Sequence, residues 1–309
     1  MAIVFHSPWD NADQWLAALR ETMPREEFRV WPDVGEPKEI DFAMVWQIPH
    51  GVLAEFPNLL AISSLGAGTD ALLADPDLPR NIPITRLVDP LMADRMAEYV
   101  CATVLSYHLG LDVYAEQQSR ETWQRHQTMD ARDRTVALLG LGQMGQRCAL
   151  RLDALGFNLL GWSRTAKEIN GMHCTHGNGH LDEVLGSADI TVVLLPLTDR
   201  TENLLDQVAF NTMRRGTCLI NCSRGEIVVE DHLITALNNG RLRGATLDAY
   251  RAEPLPRGHP LWRHPKVRVT PHIASLSAPG TAALILADQV RRARNRQRLL
   301  DLVDMKHGY

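Results

Sequence analysis

No CxxC pair, internal repeat or low-complexity tract occurs in this sequence. Its cysteines, Cys101, Cys148, Cys174, Cys218 and Cys222, are an odd and scattered set. That pattern excludes a disulfide framework and points to reduced thiols in a cytoplasmic protein. The opening residues, MAIVFHSPWDNADQW, have neither the basic n-region nor the apolar core of a secretory signal. No uncharged apolar run reaches the ~18 residues that a membrane-spanning helix needs. A net charge of −5 argues against a general nucleic-acid or anionic-membrane surface.

What remains is ordinary globular material. The 309 residues are 45% hydrophobic and 22% charged. A chain of this length suggests roughly two domains, each with a core that needs no covalent staples. In the first ninety residues, IVFHS, FRVW, FAMVWQ and LLAISSLG read as strands. A helix is expected after Asn11, with Asn11 or Asp13 near its N-cap. Strands that alternate with helices predict a parallel sheet covered on its faces. One long helix is expected from about Asp94 to Gln118, and another over the last thirty residues from Ala278. Between them VALLGLG, FNLLGWS, ADITVVLLPL, GTCLINCS, RGATLDAY and VRVTPH form a second α/β series.

Gly140-Leu141-Gly142-Gln143-Met144-Gly145 sits between a strand and a helix in that series. A glycine triplet alone fits any glycine-rich turn, but strand, motif, helix and next strand in register make it a dinucleotide fingerprint. The first glycine permits the tight turn, the second lets the backbone approach a pyrophosphate, and the third lets helix and strand pack closely. The fingerprint expects an acid roughly 20 residues further on, to hold the adenosine ribose. Ser163, Arg164 and Lys167 stand there instead. A carboxylate would repel a 2′-phosphate, whereas a guanidinium matches its geometry. The expected cofactor is therefore NADP(H), with NAD(H) possible if Arg164 is merely a solvated loop residue.

Three strand ends carry reactive side chains. Arg224 follows Cys222 and Ser223 in NCSRGE, Glu253 follows Tyr250 in LDAYRAEP, and His272 follows Pro271 in TPHIAS. Together they suit hydride transfer to a ketone. His272 is the candidate general acid, Glu253 orients its ring and stabilises the protonated form, and Arg224 clamps a carboxylate. Leu65-Gly66-Ala67-Gly68 is a second candidate anion site, since glycines leave N–H groups bare; a simple strand-to-helix turn is the alternative. The cluster His173, Cys174, His176 and His180 fits no zinc-finger spacing and is read as a solvated turn, with no metal expected. For Trp46 and Trp123, core packing is favoured over a place in the substrate pocket.

These motifs (GLGQMG with SR at the ribose position, NCSRGE, LDAYRAEPLP, LWRHP, TPHIAS and LGAG) make the whole chain resemble the D-isomer-specific 2-hydroxyacid dehydrogenases, and within them the glyoxylate/hydroxypyruvate reductase A branch. The resemblance implies two Rossmann-like or flavodoxin-like α/β domains with parallel sheets and an active site in the interdomain cleft. Residues 1–95 with 276–309 would bind substrate, and 96–275 would bind NADP. It implies Arg224, Glu253 and His272 as catalytic residues and Leu65, Gly66, Ala67, Gly68 and Arg224 as substrate ligands. It places Leu195, Pro196, Cys222, Ser223, Asp248 and His272 beside the cofactor with Gly140, Gly142, Gln143, Met144, Gly145, Ser163, Arg164 and Lys167. Asp248 could instead cap local backbone. The implied activity is NADPH-dependent reduction of small 2-oxo acids by a homodimer. Two other readings stay open: an NAD-dependent enzyme of different substrate range, and a nucleotide-sensing protein on the same fold. Arg164→Ala is expected to raise KM for NADPH by about tenfold, with little effect for NADH; equal effects in steady-state kinetics would return this segment to an ordinary loop.

Overall fold

The computed structural model describes residues 1–308. The chain forms two compact units, Met1–Met92 with Leu276–Tyr309, and Ala93–Ser275.

The first unit contains strands β1 (Ala2–His6), β2 (Glu27–Val30), β3 (Ile40–Val45), β4 (Ala61–Ser64) and β5 (Ile84–Thr85), with helices α1 (Ala12–Thr22) and α2 (Asp70–Leu73) between them. All pair in parallel, in the order β2-β1-β3-β4-β5. β3 and β4 are buried along their whole length, as strands covered on both faces are, and the burial includes Asp41, Ser63 and Ser64. Asn11 caps α1, its side chain accepting from the Gln14 N–H. Trp15, Leu16 and Leu19 are the buried side of that helix.

The second unit begins within α3 (Pro90–His108), followed by α4 (Leu111–Ser119). Its strands are β6 (Thr135–Leu139), β7 (Asn158–Ser163), β8 (Met172–His176), β9 (Ile190–Val193), β10 (Thr217–Asn221), β11 (Leu242–Leu247) and β12 (Val267–Val269). The connecting helices are α5 (Gln143–Ala154), α6 (Leu181–Ser187), α7 (Gln207–Thr212) and α8 (Glu230–Asn238). This parallel sheet runs β12-β11-β10-β9-β6-β7-β8, so the strand order reverses between β6 and β9. One face packs against α3 and α5 through Val100, Val104, Cys148 and Leu152. The other packs against α6, α7 and α8 through Leu185, Phe210, Leu233 and Leu237. In such sheets ligands bind at the carboxyl ends of the strands beside the reversal point.

The final helix, α9 (Pro279–Arg294), returns to the first unit and packs on α1. Arg294 at its end donates to Asp41 on β3 through Nε (2.7 Å) and Nη2 (2.8 Å), and also pairs with Glu26. Asp41 is 2% exposed, and this fork–fork geometry is what permits its burial.

Four sequence expectations change. The helix expected over 94–118 is broken at Gly110, whose φ of +70° ends α3 and starts α4. The last thirty residues are not one helix: α9 stops at Arg294, and Arg296 and Asp301 take positive φ values. The 172–180 segment begins as edge strand β8 rather than a loose turn, paired with β7 from Leu159↔Met172 to Ser163↔His176. Trp123 is 94% exposed and so packs in no core of this chain. Among the described residues no group of three or more His, Cys, Asp or Glu could hold a metal ion, and no helix is long and apolar enough to cross a membrane.

Candidate active site

The glycine turn links β6 to α5. Gly140 has φ +106°, and a Cβ there would lie 2.5 Å from the Leu194 carbonyl oxygen. Its N–H donates to the Trp162 carbonyl at 2.9 Å. A Cβ on Gly145 would lie 2.0 Å from the Gly140 carbonyl, so helix and turn are in direct backbone contact. Gly142, by contrast, has nothing within 4 Å of an added Cβ. It is exposed, with Gln143, at the start of the helix. The first and third glycines are thus required by the fold, and the second keeps open the approach to the helix N-terminus that a pyrophosphate requires. A dinucleotide fits this turn. The contact between Gly140 and Leu194 also brings the segment containing Leu195 and Pro196 to the same end of the sheet.

At the end of β7, Ser163 is buried and its hydroxyl donates to the Thr165 carbonyl at 2.8 Å. That bond shapes the turn from which Arg164 and Lys167 emerge, both exposed. No carboxylate occupies residues 163–167.

At the end of β10, Asn221 is fully buried and organises the next turn. Its Oδ1 accepts from the Ser223 N–H (3.1 Å) and hydroxyl (2.8 Å), while its Nδ2 donates to the Arg224 carbonyl at 2.9 Å. Burial raises the Cys222 thiol pKa well above its ordinary value, so Cys222 is a neutral packing residue here. Arg224 is half-buried, and its Nη1 donates to the Ser223 carbonyl at 2.8 Å. Gly225 is obligatory because a Cβ would lie 1.9 Å from the Tyr250 backbone. That contact brings the Arg224 turn against the segment that follows β11.

His272 lies just beyond β12 with φ +53°, a conformation unusual for a residue other than glycine. Asp248 holds it there. Asp248 is 1% exposed; its Oδ1 accepts from Thr270 Oγ1 (2.7 Å) and the Ile273 N–H (2.9 Å), and its Oδ2 accepts from the Ala274 N–H (2.8 Å). Burial raises the Asp248 carboxyl pKa, and these donors only partly offset that. Asp248 thus caps the backbone at Ile273 and Ala274, at the carboxyl end of the sheet. Tyr250 closes the other side: its hydroxyl donates to the Leu247 carbonyl (2.5 Å) and the Thr270 carbonyl (3.0 Å). The Tyr99 hydroxyl meets Thr270 Oγ1 at 2.6 Å.

Glu253 meets His272 directly. Nδ1 of His272 lies 2.8 Å from Oε2 and 3.1 Å from Oε1 of Glu253, and the Tyr250 N–H donates to Oε1 at 3.0 Å. Burial alone would raise the Glu253 pKa. The hydrogen bond and charge of His272, the Tyr250 N–H and the Arg224 charge together bring it below the ordinary value. With Nδ1 engaged, Nε2 is the ring nitrogen that can exchange a proton with another molecule. Sequence reasoning singled out Arg224, Glu253 and His272 but gave no part to Asn221, Tyr99, Tyr250 and Thr270, which shape the turns that carry them. β11 and β12 end at Leu247 and Val269, earlier than expected, because this hydrogen-bonded network replaces the ladder beyond them.

In the first unit the Leu65–Gly68 loop follows β4. The carbonyls of Leu65, Gly66 and Gly68 accept from Ser277 Oγ (2.7 Å), the Leu87 N–H (3.0 Å) and Ser64 Oγ (2.9 Å). The N–H groups of Ala67 and Gly68 have no acceptor among the described residues. Three of the four loop carbonyls are thus occupied while two N–H groups stay available, as an anion site requires. Trp46 packs over Gly66, where a Cβ would lie 2.6 Å from the indole ring.

Comparison with known proteins agrees with these features. A family model for the D-isomer-specific 2-hydroxyacid dehydrogenase NAD-binding domain matches residues 101–274. Glyoxylate/hydroxypyruvate reductase A of Serratia proteamaculans is 37% identical over all of both chains, and that of Photorhabdus laumondii 36%. A D-isomer-specific 2-hydroxyacid dehydrogenase from Xanthobacter autotrophicus, solved with NADPH and MES, matches with a TM-score of 0.94 at 40% identity, covering 100% of this chain and 99% of that one. The NADPH-dependent glyoxylate/hydroxypyruvate reductase of Sinorhizobium meliloti, solved with NADP and sulfate, matches over 100% of both chains with a TM-score of 0.93 at 31% identity.

The lowered Glu253 pKa has a consequence for stability. Its folded value lies below the unfolded one, so it stabilises the fold above the unfolded pKa and that contribution fades as pH falls through the folded value. Wild type is therefore expected to keep its stability advantage over Glu253→Gln above about pH 4.5, the ordinary carboxyl value, and to lose it progressively at lower pH in thermal melts. A difference in Tm independent of pH would contradict the pairing.

Proposed function

The chain belongs to the D-isomer-specific 2-hydroxyacid dehydrogenases, and on that premise we propose that it is an NADP(H)-dependent reductase of small 2-oxo acids, converting glyoxylate to glycolate and hydroxypyruvate to D-glycerate. The observation that carries this reading is the Glu253–His272 pair, Nδ1 to Oε2 at 2.8 Å, in a unit with an open glycine turn. When bound, NADPH supplies the hydride.

The chain's own residues do the rest. Gly140, Gly142, Gln143, Met144 and Gly145 receive the pyrophosphate. Ser163, Arg164 and Lys167 recognise the 2′-phosphate, and the absence of an acid there supports NADP(H) over NAD(H). Leu195, Pro196, Cys222 and Ser223 border the nicotinamide end. His272 gives its Nε2 proton to the carbonyl oxygen as negative charge develops there, and Glu253 balances the imidazolium from the other side. Arg224 clamps the substrate carboxylate and polarises the adjacent carbonyl. In the first unit, the Ala67 and Gly68 N–H groups are donors suited to a carboxylate. Asp248 acts through the backbone that it fixes around His272.

The protein works as a homodimer in the cytoplasm in this proposal. Support for the dimer comes from the arm around α4, which buries none of its helical residues and exposes Leu109, Leu111, Trp123 (94%) and Met129. Support for the compartment comes from the five unbridged cysteines. His272→Ala is expected to lower kcat by about 10²–10⁴-fold with little change in KM for NADPH. A kcat within about twofold of wild type would remove His272 from the role of acid.

A further inference from the structure

Arg86 is a half-buried arginine with no counterion. Its Nε is buried without a hydrogen-bond partner, and no ion pair or side-chain hydrogen bond joins it to any described residue. Only its backbone is engaged, the N–H donating to the Asp301 carbonyl at 3.1 Å. Such a guanidinium is costly in the free protein, because desolvation is not offset by an acceptor. Its chain neighbours are satisfied. The neighbouring Thr85 hydroxyl meets Ser63 Oγ at 2.6 Å, and the Leu87 N–H meets the Gly66 carbonyl at 3.0 Å.

The sheet register says where Arg86 stands. β4 and β5 pair in parallel with Ile62↔Ile84 and Ser63↔Thr85. Arg86 is therefore the next position, opposite Ser64, and alternation puts it on the Ser64 side rather than the Ser63 side. Ser64 is the residue whose hydroxyl shapes the Leu65–Gly68 loop, accepting from the Gly66 N–H (3.3 Å) and donating to the Gly68 carbonyl (2.9 Å). A second unsatisfied group lies at the end of the same loop. Thr69 is 3% exposed and its Oγ1 has no partner. Bare N–H groups at Ala67 and Gly68, an unpartnered buried hydroxyl at Thr69 and an unpaired guanidinium at Arg86 thus belong to one stretch of this sheet edge.

We propose that Arg86, assisted by the Thr69 hydroxyl, is a specificity-determining residue that binds a small carboxylate ligand together with the Leu65–Gly68 loop. The missing acceptors are the oxygens of the ligand. The free protein carries an unpaired charge, and carboxylate binding relieves it, so affinity is gained where stability is given up. This role rests on the reading of the loop as the substrate-carboxylate site, and it makes the site selective for anionic over neutral carbonyl compounds.

The test is titration of oxalate, which does not turn over, into the NADPH-saturated protein, with Tm measured on the same samples without oxalate. Arg86→Gln is expected to raise the oxalate Kd by at least about tenfold, Arg86→Lys to recover part of that loss, and Thr69→Val to raise Kd by about threefold. Tm of Arg86→Gln is expected to equal or exceed that of wild type, which a merely structural arginine would not allow. With glyoxylate as substrate, KM is expected to rise by a larger factor than kcat falls. An oxalate Kd within about twofold of wild type in Arg86→Gln overturns the proposal, as does no oxalate binding by wild type, or a loss of binding accompanied by a lower Tm. Oxalate binding that depends on Arg86 in a protein that reduces no 2-oxo acid would uphold this assignment while refuting the reductase.

Discussion

Everything at the proposed catalytic end depends on one buried carboxylate. Asp248 gathers the Thr270 hydroxyl and the N–H groups of Ile273 and Ala274, and so fixes the short segment on which His272 sits with positive φ. A buried carboxylate is tolerable only because several donors meet it. The same donors determine where the His272 ring starts, and Glu253 determines how it turns. The imidazole is held at Nδ1, which leaves its other nitrogen as the one able to act. Tyr250 and Tyr99 close this network around Thr270, so the strand end cannot drift without breaking several buried hydrogen bonds.

The cofactor turn follows a different logic, close backbone contact. Gly140 and Gly145 leave no room for side chains because β6, α5 and the segment after β9 meet there. Gly142 is open instead, with nothing within 4 Å of an added Cβ, which leaves the helix N-terminus accessible. Gly225 is fixed as tightly, by the Tyr250 backbone, and it brings the Arg224 turn against the chain leading to Glu253. The glycines are thus the points at which the elements carrying reactive side chains come into register.

Much of this was legible in the sequence because it is local. Strand–helix alternation, GLGQMG, the SR pair in place of an acid, and the strand-end residues Arg224, Glu253 and His272 all lie in short stretches whose chemistry can be read without coordinates. What was not legible depends on distant partners. Asn221 looks like any strand-end asparagine until its two amide atoms are seen to hold the Arg224 turn. The hold of Asp248 on the His272 segment shows only through its three donors, which come from residues more than twenty positions away. Trp123 was read as a core residue from its size, yet the segment around it forms an exposed arm. Gly110 breaks a pattern whose apolar periodicity continues through it, and Arg86 shows its interest only through the counterion it lacks.

The central claim is that this fold reads a 2′-phosphate and reduces a short 2-oxo acid. The most direct measurement is kcat/KM for glyoxylate and hydroxypyruvate, taken side by side with NADPH and NADH. The account predicts turnover of both acids, with NADPH favoured by at least about tenfold. Equal or better rates with NADH, or no turnover of either acid, would contradict it.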